Sequence, residues 1–158
     1  MGQQQLLLVI LVTILVGIAT VVAINVFGTA AEEANRDAVR QELLSAGAGA
    51  QAVWTKPLLL DGAGRDFTNF SEPLELLRRL GLPARCGEDL GADGTPLADA
   101  SGCENENGQY QLEITAADDL LITGYPANSA ESPIILRVYR EAGNWLTDFT
   151  DAEAGTDD

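Results

Sequence analysis

Few side chains in this sequence are equipped for chemistry. The chain has no histidine and two cysteines, Cys86 and Cys103, with sixteen residues between them. A metal site would need more thiols or an imidazole. In a chain that sends its soluble part across a membrane, the default for such a pair is a disulfide. By the chain-entropy model a bridge over a loop of this size stabilises by roughly 3 kcal/mol. Asp89, Asp93 and Asp99 lie between the cysteines and offer hard oxygen ligands, but their spacing fits no calcium loop, so they read as a solvated acidic loop. No cofactor and no metal are expected. Glu104 and Glu106 stand beside the bridge in an open loop, a poor place to raise a carboxyl pKa. Ser71 is expected to cap a helix rather than act as a nucleophile. Asn69-Phe70-Ser71 is a formal glycosylation acceptor. With Lys56 and the tyrosines as the remaining candidates, the expectation is that the chain is not an enzyme.

The element that must place the rest is the run Leu6–Phe27, LLLVILVTILVGIATVVAINVF, which holds no charged side chain. As a helix it would reach about 33 Å, enough to cross a hydrocarbon core of about 30 Å. Its many β-branched residues weaken a helix in water but not in lipid, where every backbone group must bond within the segment. A cleaved secretory signal needs a basic start and a shorter apolar core. Met1-Gly2-Gln3-Gln4-Gln5 has neither Lys nor Arg, so the segment is expected to be retained.

All 24 acidic and nine basic side chains of the 158 residues lie beyond Gly28, giving that part the whole net charge of −15. Such a surface argues against nucleic acid, whose affinity rests on Lys and Arg neutralising phosphates. It argues equally against docking of that part on anionic lipid. About 100 residues follow Pro57, enough for one small domain.

From 29 to 56 the pattern becomes amphipathic. Val39, Leu43, Ala46, Ala50 and Val53 recur at helical steps and mark one apolar face, while Arg36 follows Glu32 and Glu33 at pairing distance. No proline interrupts before Pro57, so the simplest reading is one helix from Leu6 to about Trp54, on the order of 73 Å long. Gly47 and Gly49 each cost about 1 kcal/mol of helix propensity, which marks a weak place or a close-packing surface. Leu58–Phe70 reads as a loop with short extended pieces. A short helix follows, capped by Ser71, with Pro73 in its first turn, Leu74, Leu77 and Leu80 on its apolar face, and Gly81 closing it. Arg85–Gly108 is irregular.

Four strands complete the chain: Tyr110 to Thr115, Leu120 to Tyr125, Ile134 to Glu141, and a last one through Trp145, Thr147 and Phe149 after a turn at Ala142-Gly143-Asn144. They form an antiparallel meander with one wet face, and the Val39–Val53 face is its cover. Residues 57–150 are thus a head domain, and 151–158 an acidic tail.

This α+β arrangement, an uncharged apolar N-terminal helix continuing into an amphipathic half on a small antiparallel sheet, resembles the type IV pilin family. The resemblance is architectural and spans most of the chain. It implies a precursor held in the inner membrane, cut after a glycine by a prepilin-type peptidase, and drawn by assembly machinery into an extracellular filament. Gly2 and Gln3 are then the processing candidates, and Leu7 takes the fifth mature position, where the family carries glutamate. Glutamine after the processing glycine is similar to pilins of archaea. The filament core would comprise Leu6, Leu7, Leu8, Ile10, Leu11, Ile14, Leu15, Gly17, Ile18, Val21, Val22, Ile24 and Phe27. Such filaments serve adhesion and motility, among other roles.

Two further readings stand beside this one. The apolar run is also what a signal anchor holding a small periplasmic or surface domain would need, and a minor pseudopilin of a secretion system would look similar. A polar Gly/Ser/Pro-rich linker usually follows a plain anchor, and none occurs between Gly28 and Trp54.

Overall fold

The structure, a computed structural model, describes residues 2–87, 102–129 and 132–151. Its contacts divide into two compact units, Met1–Ala34 and Asn35–Asp158. One helix, α1, is assigned without interruption from Gly2 to Thr55.

In the first unit α1 is a bare helix. Its hydroxyls turn back on the backbone: Thr13 donates to the Ile10 carbonyl and Thr20 to the Val16 carbonyl, each at 2.8 Å, and Thr29 donates to Val26 at 3.0 Å. These polar groups are therefore satisfied within the helix, which an apolar medium requires.

In the second unit, α1 from residue 35 onward lies on a six-stranded antiparallel sheet ordered β1 (Arg85–Gly87), β2 (Gly102–Glu104), β3 (Gly108–Ala116), β4 (Asp119–Pro126), β5 (Ile134–Glu141) and β6 (Asn144–Asp151). Helical and strand periods meet in the core. Val39, Leu43, Ala46, Ala50 and Val53 of α1 are buried with Tyr110, Leu112, Leu120, Ile122, Leu136 and Val138 of the sheet. The register places Leu112 opposite Ile122, Ile122 opposite Leu136, and Leu136 opposite Phe149, so one face of each strand points to the helix. The other face is mixed: Leu121 and Leu146 lie on it, and Arg137 grips the Asp119 carboxylate there through Nε at 3.1 Å and Nη2 at 2.6 Å. Ala142 and Gly143 both take positive φ, 50° and 89°, at the tight turn between β5 and β6.

Four details depart from the sequence reading. The sheet has six strands rather than four, because residues 85–87 and 102–104 pair with each other, too briefly to show a period. Leu58–Leu60 and Phe67–Asn69 are 3-10 turns, not extended pieces. Ser71 does not cap α2 (Pro73–Arg79): Glu72 holds the cap position in extended conformation without a side-chain bond, and Pro73 supplies the start. β6 runs through Asp151, taking the first residue assigned to the tail; 152–158 lie outside the described residues. Leu76 joins Leu74, Leu77 and Leu80 in the core, and Gly81, at φ 77°, ends the helix.

Candidate functional site

Among the described residues, the first unit presents an open apolar surface. Every large apolar side chain from Leu6 to Phe27 is open, from 49% exposed at Val12 to 74% at Phe27. Leu6, Leu7, Leu8 and Val9 are consecutive, so at 100° per residue they already encircle the helix. Ile10, Leu11, Ile14, Leu15, Ile18, Val21, Val22 and Ile24 continue the coat without leaving a polar face. The best window has a mean hydropathy of 3.1 and no buried residue. Withdrawing one such side chain from water is worth on the order of 2 kcal/mol, so the surface as a whole demands lipid or protein around it. This one helix, near the N-terminus, is long and apolar enough to cross a membrane. It suggests a membrane or signal anchor. Gly17 has open space where a side chain would stand, leaving room for close approach of another helix. Gly2 is the first helical residue, followed by Gln3.

The second unit holds the groups with chemical potential. Cys86 and Cys103 face each other across β1 and β2 and are disulfide-bonded. The next pair in register, Arg85 and Glu104, forms an ion pair at 2.7 Å. Glu106 and Lys56 are exposed. The Asn69 amide donates to the Ala63 carbonyl at 2.8 Å. Asp89, Asp93 and Asp99 lie outside the described residues. Among the described residues, no group of three or more acidic or cysteine side chains is placed to hold a metal.

One constellation escaped the sequence reading. The Glu42 carboxylate, on the flank of the buried helix face, accepts from the Tyr110 hydroxyl, from Asn105 Nδ2 at 2.7 Å and from Asn107 Nδ2 at 2.6 Å. Asn105 in turn accepts the backbone N–H groups of Asn107 and Gly108 at 2.9 and 3.1 Å. Burial pushes the Tyr110 hydroxyl well above its ordinary pKa, and its bond to Glu42 and the charge there push it further. On the same helix Asn35 donates to the Asn107 carbonyl at 2.9 Å and Arg36 to the Ser132 carbonyl at 3.0 Å. At the far end Trp54 donates to the Ala117 carbonyl at 3.1 Å and meets Trp145 edge-on at 5.3 Å. The signal available was the interruption of an apolar helix flank by Glu42, opposite an Asn-Glu-Asn turn. These groups fasten the part of α1 from residue 35 onward to the sheet near both of that part's ends.

Comparison with protein-family models, with curated proteins and with solved structures finds no match. A long N-terminal apolar helix with a small antiparallel sheet is compatible with a pilin-like fold.

Proposed function

We propose that this chain is a pilin-like structural subunit of an extracellular helical filament, without enzymatic activity, held in the inner membrane before assembly. The observation that carries the reading is α1 itself: one helix whose first part is apolar on all sides and whose last turns carry a folded sheet. A helix coated with Leu, Ile and Val exchanges lipid tails for identical neighbours at little cost, because lipid is about as apolar as leucine. The threonine hydroxyls bond within their own helix and so need no lipid or protein partner. Its partners are other copies of itself, the membrane, assembly machinery and a peptidase acting between Gly2 and Gln3. Nucleic acid is not among them.

The test is made on the sheared high-mass fraction of cells that make the full chain. Electron microscopy is expected to find filaments, and the intact mass of their subunit to match the chain with or without Met1-Gly2. Recovery of the protein only in the membrane fraction, with no filament containing it, would instead make it a signal-anchored surface domain.

A further inference from the structure

Asn107-Gly108 is the only Asn-Gly step in the sequence. In such a step an asparagine can convert itself, because glycine has no side chain to hinder its own backbone nitrogen and turns freely about φ and ψ. The Gly108 nitrogen attacks Cγ of Asn107, the bond from Cγ to Nδ2 breaks, and ammonia leaves carrying the displaced N–H proton. Water then opens the resulting succinimide ring to aspartate or isoaspartate.

Packing requires both residues of this labile pair. A Cβ at position 108 would lie 2.2 Å from the Tyr125 carbonyl oxygen, so only glycine fits where β3 runs beside β4. At position 107 the side chain must donate: Asn107 Nδ2 bonds Glu42 Oε1 at 2.6 Å. An aspartate there would set a second carboxylate against Glu42, and an apolar residue would leave Glu42 short of a donor.

The same contacts hold the pair shut. Each group that the reaction would have to move is bonded elsewhere. The attacking Gly108 N–H donates to Asn105 Oδ1 at 3.1 Å, and Gly108 is buried. The Asn107 carbonyl accepts from Asn35 Nδ2 and from the Ala127 N–H, each at 2.9 Å. Asn105 is itself fixed, its Nδ2 donating to Glu42 Oε2 at 2.7 Å and its N–H to the Gly108 carbonyl at 2.9 Å. One carboxylate therefore restrains the leaving amide directly and, through Asn105, the attacking nitrogen.

We infer that Asn107 is a latent self-modification site, a deamidation step that the Glu42 clamp keeps closed in the folded head. Opening it once is irreversible. The amide that donated to Glu42 becomes a carboxylate, and like charges that close repel. Isoaspartate would also lengthen the backbone at the turn into β3. Either product costs the sheet one of its fastenings to α1. The clamp acts within one chain, whether or not copies assemble.

The experiment keeps the full chain in detergent, in mildly alkaline buffer at physiological temperature, and follows residue 107 by peptide mass spectrometry. Wild type should convert slowly. Glu42→Ala should convert about tenfold faster or more, since opening no longer breaks bonds to a charged group. Glu42→Gln keeps one acceptor oxygen, should fall between the two, and stands in if the alanine variant does not fold. Leu136→Ala opens a cavity in the core but leaves the clamp in place, so it should convert at the wild-type rate. Equal rates in wild type and the Glu42 variants would overturn the inference. So would equal acceleration by Leu136→Ala, because the site would then open only when the whole head unfolds. Asn107→Asp, the product made by mutation, should melt below wild type; an unchanged midpoint would show that Glu42 does not grip this amide and would overturn it as well.

Discussion

Gly49 of α1 packs directly on the backbone of Leu80, at the end of α2: a methyl group at its Cβ position would lie 2.2 Å from the Leu80 carbonyl oxygen. Helix propensity alone favours Gly→Ala by about 1 kcal/mol. Here the overlap is with backbone, which cannot rotate away as a side chain would. Gly49→Ala is therefore expected to destabilise the head, by about 2 kcal/mol or more. Gly47→Ala meets only the flexible tips of Leu136 and Val138, at 3.1 and 3.3 Å, and should cost less. Chemical denaturation of the two variants in detergent checks the order; a stabilised Gly49→Ala protein would show that the helices are not in this contact.

The sequence left two readings of that stretch open, a weak place in the helix or a close-packing surface, and the structure chooses the second. The choice was out of reach because Leu80, Leu136 and Val138 are far away in sequence, and periodicity reports only local faces. What periodicity can report was legible: the five apolar positions from Val39 to Val53, the alternation in β3 to β6, and the apolar coat from Leu6 to Phe27. The two short strands were illegible because three residues hold barely one alternation, and their pairing comes from the Cys86–Cys103 bridge and the Arg85–Glu104 pair. Glu42 was hidden for a related reason. A carboxylate on a helix flank ordinarily points to water, and the donors that hold this one, Tyr110, Asn105 and Asn107, arrive from another element.

Removing that carboxylate strands its donors. Glu42→Ala leaves the buried Tyr110 hydroxyl and the amides of Asn105 and Asn107 without their acceptor, at a cost of about 2–3 kcal/mol. Glu42→Gln keeps one acceptor oxygen and presents an NH2 to the other donors, so it should fall between wild type and Ala. Pairing Glu42→Ala with Tyr110→Phe should cost less than the sum of the single changes, since both act on one network. Strict additivity in that cycle would mean the two groups are uncoupled.

The tyrosines set the alkaline limit of the fold. All three hydroxyls are held above their ordinary pKa, Tyr110 mainly by burial, Tyr125 by burial, and Tyr139 mainly by its hydrogen bond to Asp148. The unfolded chain releases these protons near pH 10 while the folded chain retains them. Their contribution is thus complete below about pH 10 and is lost as pH climbs above it; for the Tyr110 proton, while the folded chain retains it, the loss is about 1.4 kcal/mol per pH unit. Tyrosinate absorbance, followed together with circular dichroism, should show Tyr110 ionising only as the sheet is lost. Tyr110→Phe should flatten the decline. A Tyr110 that titrates near pH 10 in the folded chain would contradict its placement in the core.

Leu15 separates the roles of the two units. It sits mid-run and is 63% exposed. An aspartate at the centre of a membrane helix costs about 2.5–3.5 kcal/mol on insertion scales, which a run this apolar can absorb. Among bundled helices the same carboxylate would be repeated in every copy without a counter-charge, since the run holds no Lys or Arg. Leu15→Asp is therefore expected to leave the head folded and the chain in the membrane, while filaments disappear; Leu15→Val should assemble. Repulsion between heads of net charge −15 adds a second dependence. Screening shortens its reach from about 30 Å at 0.01 M salt to about 10 Å at 0.1 M, so filament yield should rise with salt over that range. Normal filaments from Leu15→Asp would take the apolar run out of the filament core, whatever the salt.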